Sequence, residues 1–235
     1  MVKLDSRLSR ISEMCLPCTS LADIGSDHAK LPAALLSAGI IEKAYITDIN
    51  EAPLENSRLT IEKEGFTDRC VFLHGDVLTV LGRNMPDGIA VCGMGGETVI
   101  RILSEGRDYA QAAGYLVLQP MTDKDLVCLY LNENGFAVTD EAMVRDGRLF
   151  YHIFRAKYTC KDPEDMSRYD AMFSPVLIEK RDPVMKAYLS FRLEMAQTTA
   201  DNIRRSTSLK LLDEMNEQIR QIKERLDSYE IRKDN

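Results

Sequence analysis

Between Leu21 and about Tyr158, apolar residues fall in short, nearly continuous runs, separated by stretches where they recur every three or four positions. The runs Ala44-Tyr45-Ile46-Thr47-Asp48, Cys70-Val71-Phe72-Leu73-His74, Ile89-Ala90-Val91-Cys92 and Tyr115-Leu116-Val117-Leu118-Gln119 read as strands buried on both faces. The stretches at about 51 to 64, 96 to 105 and 123 to 134 have helix length. Together with the strand opening at Leu21 they form repeated βα units, which predicts a parallel sheet with helices on both faces. The rhythm then changes. Phe136 to Val144 and Leu149 to Tyr158 are strand-like and are joined by Arg145-Asp146-Gly147-Arg148, whose Asp-Gly is a hairpin turn signal. An antiparallel hairpin is therefore predicted to close the sheet after five βα units.

Past a loop-like stretch around Lys161-Asp162-Pro163-Glu164-Asp165, the pattern turns helical. Leu189, Leu193, Ala196, Ala200 and Ile203, and then Leu212, Met215, Ile219, Ile222, Leu226 and Tyr229, alternate spacings of three and four. Such narrow stripes predict a coiled-coil seam. Arg205-Ser206-Thr207-Ser208 separates them, so an antiparallel helical hairpin is expected from about Asp182 to Ile231. The expected domains are 1–160, an α/β unit, and 161–235, a helical coiled-coil unit.

A chain of 235 residues with 45% hydrophobic content buries a full core and has room for such an appendage. No apolar run approaches transmembrane length, and Met1-Val2-Lys3-Leu4-Asp5-Ser6-Arg7 lacks the apolar core of a signal peptide, so a cytoplasmic location without membrane contact is expected. The six cysteines are dispersed, several inside apolar runs, as suits buried thiols in a reducing compartment. Cys15-Leu16-Pro17-Cys18 has redox or half-zinc spacing but no partner pair, and His28, His74 and His152 lie at no recognised zinc spacing from it. It reads better as a helix end followed by a proline stop, and no metal is expected. The net charge of −7 opposes non-specific nucleic-acid binding, but it is uneven: residues 1–179 carry 18 Lys+Arg against 27 Asp+Glu, and the remainder 12 against 10. The relatively basic tail permits local phosphate contacts, although a solvated helical face explains it equally well.

The chemistry concentrates where the first strand ends, in Leu21-Ala22-Asp23-Ile24-Gly25-Ser26-Asp27-His28-Ala29-Lys30-Leu31-Pro32. A strand running into an acid, a glycine and a helix start is a nucleotide-binding crossover. The dinucleotide fingerprint needs three glycines to approach a pyrophosphate, and here Gly25 stands alone, with Asp27 and Ala29 where an alternating pattern would continue. A carboxylate repels a pyrophosphate and attracts a cofactor bearing sulfonium and ammonium groups. The elbow therefore favours S-adenosyl-L-methionine over NAD.

In an open parallel sheet, ligands collect at the carboxyl ends of the strands. Asp23 ends the first strand, Asp48 the second, and Gly75-Asp76 follows the third. These suit, respectively, the elbow or amino-acid portion of the cofactor, the ribose hydroxyls and an adenine amino group; helix N-capping is the competing role of such acids. Cys92-Gly93-Met94-Gly95-Gly96-Glu97 ends the fourth strand and brings backbone close to a ligand or a neighbouring strand. Glu97 is either catalytic or a complement to the helix dipole. His28 is either a core residue or functional, and Gln119-Pro120 places an amide at the same rim. Arg7 and Arg10, three apart on a helical face, meet a phosphate or solvent.

The motifs Asp23 to Pro32, Cys92 to Glu97 and Leu116-Val117-Leu118-Gln119-Pro120, with Leu4-Asp5-Ser6-Arg7-Leu8 at the start, resemble those of the bacterial TrmK family, the tRNA adenine-22 N1-methyltransferases. The resemblance covers nearly the whole chain. It implies a seven-stranded class I methyltransferase fold of Rossmann-like α/β type, a coiled-coil tail and a tRNA substrate. The family often has Glu near the end of the second strand, where Asp48 stands here. The expected cofactor-binding residues are Asp23, Gly25, Ser26, Asp27, His28, Asp48, Ile49, Asp76, Val77, Gly93, Met94 and Gly95. The expected catalytic residues are Asp27, His28, Gly93, Glu97 and Gln119, and the expected tRNA contacts are Arg7, Arg10, Arg204, Arg205 and Lys210. The rival readings are an NAD-dependent oxidoreductase and a non-catalytic adaptor gripping RNA or protein with its tail. A monomer and a weak dimer both remain open.

Overall fold

In the computed structural model the apolar runs become seven strands: β1 (Cys18–Ile24), β2 (Ile41–Asp48), β3 (Cys70–His74), β4 (Gly88–Met94), β5 (Tyr115–Pro120), β6 (Phe136–Asp146) and β7 (Leu149–Tyr158). The residues described are 2–26, 28–75, 77–204 and 209–230. One sheet results, in the order β3-β2-β1-β4-β5-β7-β6. β1 to β5 are parallel, and β7 runs antiparallel to both β5 and β6. The closing hairpin turns where expected: Asp146 pairs with Leu149, and Gly147 takes the left-handed φ of +58° that a two-residue turn requires.

Helices cover both faces. α1 (Ser6–Met14), α2 (Lys30–Ser37) and α3 (Glu51–Glu64) pack over Leu21, Ala44, Ile46, Ala90 and Val117 of the strands, contributing Ile11, Met14, Leu35, Leu54 and Ile61. α4 (Gly96–Glu105), α5 (Arg107–Ala112) and α6 (Lys124–Glu133) lie against β4 to β7 from the other side. α1 begins because the Asp5 carboxylate accepts the Leu8 N–H at 2.7 Å, a helix N-cap. It stops when Cys15 turns extended, two residues before Pro17. All six cysteines are free thiols; burial pushes the Cys15 thiol up to about 12.

The chain divides into two compact units, Met1–Asp165 and Met166–Asn235. The second contains α7 (Arg168–Phe173), α8 (Pro175–Glu179), α9 (Pro183–Arg204) and α10 (Leu209–Glu230). The expected seam is present: Leu189, Ala196, Ala200 and Ile203 are buried on α9, Ile222 and Tyr229 on α10, and Leu193, Leu212, Met215, Ile219 and Leu226 are half-buried. Two short helices, α7 and α8, join the hairpin and were not expected. They bury Phe173 and Leu177, and their own local signals hold them. Ser167 and Asp170 form a reciprocal capping box, and Ser174 accepts the Leu177 N–H at 3.0 Å with Pro175 at the first turn. No helix among the described residues is long and apolar enough to cross a membrane.

Candidate active site

The winding of the sheet reverses between β1 and β4, which are neighbours although the chain visits β2 and β3 between them. The crevice outside the carboxyl ends of such a pair is where a doubly wound fold binds ligands. A cavity of about 320 Å³ opens there, lined by Asp23, Gly25 and Ser26 after β1, Cys92 and Gly93 at β4, and Asp5, Arg7 and Leu8 around the start of α1. His28, Ala29, Lys30 and Leu31 at the start of α2 complete the wall. Its size falls in the range of small-molecule sites, roughly 300–1,000 Å³.

Strand register explains which side chains meet. Asp23 lies opposite Ala90, Ala90 opposite Val117, and Cys92 opposite Gln119. Because side chains alternate along each strand, Asp23, Cys92 and Gln119 all project to the face covered by α1. Burial pushes the Asp23 carboxyl from 3.8 up to about 6, against the opposing pull of a hydrogen bond from Ser26 and the charge of Arg7. The Cys92 thiol is driven well above its ordinary value, first by burial and then by the Asp23 charge, so it stays protonated and is no nucleophile. Arg7 donates from Nη1 to Gln119 Oε1 at 2.8 Å, and its guanidinium lies 5.8 Å from the centre of the Tyr151 ring. The fully buried Gln119 is held at its other end by donating from Nε2 to the Pro120 carbonyl at 3.0 Å.

The elbow is pinned from several sides. The Gly25 and Ser26 amides both donate to the Thr47 carbonyl of β2, each at 2.9 Å. Ser57 of α3 donates from Oγ to the Ser26 carbonyl at 2.7 Å, and Ser26 Oγ accepts the Ala29 N–H at 3.1 Å. Gly25 has a left-handed φ of +75°, and a Cβ there would collide with the terminal methyl of Met94. Met94 reaches this position because Gly93, at φ +80°, sits in an irregularity of the β4 ladder between Cys92 and Met94, and a bulge re-aims the side chain that follows it.

Other expected residues lie around this centre. Asp48 is buried at the end of β2, with Oδ1 accepting the Asn50 N–H at 2.7 Å. Ile49 is 54% exposed beside it, and Val77 follows β3; neither they nor Asp48 line the cavity. Gly95 caps α4. Glu97 is exposed in the first turn of α4 and does not line the cavity, whereas the exposed His28 does. Arg10 pairs with Glu13 at 2.6 Å, and Arg204 with Asp201 at 2.8 Å; Lys210 is exposed on α10. Asp27, Asp76 and Arg205 lie outside the described residues. Asp5 and Leu8 were quoted only within the opening motif and given no site role, although the Asp5 cap is a readable signal, and Tyr151 was not singled out from the sequence. Among the described residues, no group of three or more His, Cys, Asp or Glu is arranged to hold a metal ion.

Comparison with known proteins places this geometry. The tRNA (adenine(22)-N(1))-methyltransferase of Bacillus subtilis (strain 168) is 26% identical over 240 residues, covering 99% of this chain and 97% of its own. The crystal structure of Sp1610 of Streptococcus pneumoniae, a proposed tRNA (m1A22) methyltransferase, superposes with a TM-score of 0.88 at 25% identity, covering 95% of this chain and 100% of that one. The same protein in complex with S-adenosyl-L-methionine gives 0.85 at 25% identity, over the same shares. The methyltransferase-domain family matches residues 4–154, from the cap of α1 into β7, and the chain belongs to that family.

Proposed function

We propose that this chain transfers the methyl group of S-adenosyl-L-methionine to N1 of adenine 22 in tRNA. The observation that carries the reading is the cavity at the β1–β4 switch point, where a buried carboxylate, Asp23, and a guanidinium, Arg7, share one wall. A zwitterionic amino acid needs both signs of charge, and here Asp23 answers an ammonium and Arg7 a carboxylate. Arg7 is thus assigned to the cofactor rather than to an RNA phosphate. The left-handed Gly25 and Gly93 carry no side chain of their own, which lets Met94 and the Arg7 guanidinium lie against the backbone at this wall. The elbow has the single glycine that disfavours a dinucleotide. Likeness over almost the full length to the Bacillus subtilis and Streptococcus pneumoniae proteins supports the tRNA substrate and the position of the target base.

When bound, S-adenosyl-L-methionine supplies an electrophilic methyl group on a sulfonium. The protein's task is orientation, because adenine N1 has an in-plane lone pair and no proton at neutral pH, so no base is needed to unmask it. Holding the acceptor in line supplies much of the acceleration. The ring becomes cationic as the bond forms, and we assign Asp27, next in sequence to His28 of the cavity wall, the stabilisation of that charge. Asp48 is assigned to the ribose hydroxyls through its second carboxylate oxygen, Asp76 to the adenine amino group, and Gln119, fully buried behind the cavity wall, to holding Arg7 in place, its own amide fixed by the Pro120 carbonyl. N1 lies on the pairing edge of the base, so the target is taken unpaired or flipped out. The α/β unit, expected over 1–160, binds the cofactor, and the tail, expected over 161–235, contacts tRNA.

Thermal unfolding with candidate cofactors tests the first step. S-adenosyl-L-methionine and S-adenosyl-homocysteine should each raise the melting temperature in a concentration-dependent way, and NAD should not. Stabilisation by NAD alone would return the oxidoreductase reading.

A further inference from the structure

One side of the crevice holds no part of the cofactor. With Asp48 assigned to the ribose, Asp76 to the adenine, and Asp23 and Arg7 to the amino-acid portion, the cofactor occupies the rim from β3 to the gap between β1 and β4. The acceptor base then comes from the far side, over the carboxyl ends of β4 and β5 and beside the start of β7. β5 pairs with β7 through Leu118 and Phe154, whereas β7 begins at Leu149, so the first residues of β7 overhang the end of β5. Continuing the antiparallel register sets Gln119 level with Ile153 and Met121 level with Tyr151.

Tyr151 and Met121 are both tied to the cavity wall. Ile153 belongs to the core beneath α1, and Tyr151, two positions before it on the strand, faces the same way. Its half-buried ring lies 5.8 Å from the guanidinium of Arg7, and Arg7 Nη1 in turn lies 3.4 Å from where a Cβ on Gly93 would stand. Met121 is 48% exposed, which alone is ordinary for a surface methionine. Its placement is not loose. Its amide donates to the Met94 carbonyl at 2.7 Å, and its sulfur accepts from Gln119 Nε2 at 3.5 Å, on the side chain whose Oε1 holds Arg7. The residues that follow pass so close to the start of α4 that a Cβ on Gly96 would meet the Thr122 and Asp123 carbonyls at 2.7 Å. The fold thus fixes an apolar thioether in water at the mouth of the site, at the level of an aromatic ring.

We propose that Met121 and Tyr151 form the seat of the acceptor adenine, covering the faces of the flipped base while its pairing edge turns toward the cofactor. A base taken out of its helix loses the stacking on both faces, and an aromatic ring and a polarisable thioether restore it. Seating the ring also fixes the direction of the N1 lone pair, the orientation on which the transfer depends. This inference rests on the adenine N1 reading above and names the side chains that hold its substrate.

The test compares two tRNA transcripts, one with adenine at position 22 and one abasic there, bound to the full chain under saturating S-adenosyl-homocysteine. The quantity read is the ratio of the two affinities. Tyr151→Ala should lower the preference for adenine by about fivefold to hundredfold, the range for a base stacked on an aromatic ring. Met121→Ala should lower it by about twofold to tenfold. Tyr151→Phe, which keeps the ring, should preserve it. The cost of flipping the base is common to all variants and cancels, and a purely structural role would weaken both transcripts alike and leave the ratio unmoved. Met121→Ala alters an exposed side chain, so its arm of the test stands even if Tyr151→Ala folds poorly. A wild-type chain that binds neither transcript would overturn the tRNA reading and this seat with it. A wild-type chain that methylates adenine 22, with an unchanged ratio in both Tyr151→Ala and Met121→Ala, would overturn the seat alone.

Discussion

Asp23→Asn is the substitution that most directly exposes the trade between stability and function at the elbow. The carboxyl of Asp23 stands at about 6 in the folded protein against 3.8 as its ordinary value, because burial disfavours its charged form. A group whose pKa is raised in the folded state binds more protons folded than unfolded, so its contribution to stability falls as pH rises from about 4 to about 6 and is flat above. At 1.36 kcal/mol per pH unit, that window corresponds to about 3 kcal/mol of destabilisation at pH 8. An isosteric amide carries no charge to desolvate. The variant should therefore be more stable than the wild type by about 1–3 kcal/mol at pH 8 and nearly equal to it at pH 4. Denaturant unfolding of the cofactor-free chain at a series of pH values provides the measurement. Because the other titrating groups are common to both proteins, the difference between the two curves isolates Asp23. In the same samples, calorimetry should find S-adenosyl-L-methionine bound at least tenfold more weakly by the variant, and wild-type affinity should decline as pH drops below about 6. A pH-independent stability difference, or a variant less stable at pH 8 with intact cofactor binding, would refute the reasoning.

Further outcomes follow from the same geometry. Gly25→Ala should cost about 1–2 kcal/mol from its left-handed backbone alone and should displace Met94, seen as a lower melting temperature together with weakened cofactor binding. Asp48→Ala should weaken S-adenosyl-L-methionine by about 1–3 kcal/mol if it meets the ribose; unchanged binding by calorimetry would remove that role. Ending the chain after Asp165, where the first compact unit ends, should leave cofactor binding intact and sharply reduce methyl transfer to tRNA. A cut after Lys180 is not equivalent, since it leaves Phe173 and Leu177 without α9 and α10.

Much of the α/β unit was readable because the chain punctuates itself. The helix expected at about 51 to 64 is α3, Glu51–Glu64, bounded by Gly65 at φ +78°, and the one at about 96 to 105 is α4. The central strands β1, β2, β4 and β5 were visible because their residues are mostly buried on both faces, whereas β3, expected to be buried on both faces, lies at the sheet edge and is only half-buried; the Asp146-Gly147 signal marked the closing hairpin. Local pattern is silent, however, on contacts made across the sequence. Arg7 and Gln119 are 112 positions apart, and only the register of β1, β4 and β5 beneath α1 brings them together, so from the sequence Arg7 read as a residue on a helical face that meets a phosphate or solvent. The insertion of β7 between β5 and β6 is likewise a property of the whole sheet. α7 and α8, of six and five residues, are too short to show a helical period.

The central claim is the identity of the methylated atom. An unmodified tRNA transcript with adenine at position 22 should be incubated with the protein and methyl-labelled S-adenosyl-L-methionine, digested and analysed by mass spectrometry, beside a transcript carrying guanine at that position. The account predicts a single label, as 1-methyladenosine at position 22, and its loss from the guanine transcript. Label at another nucleotide or another ring position, or equal incorporation into both transcripts, would contradict it.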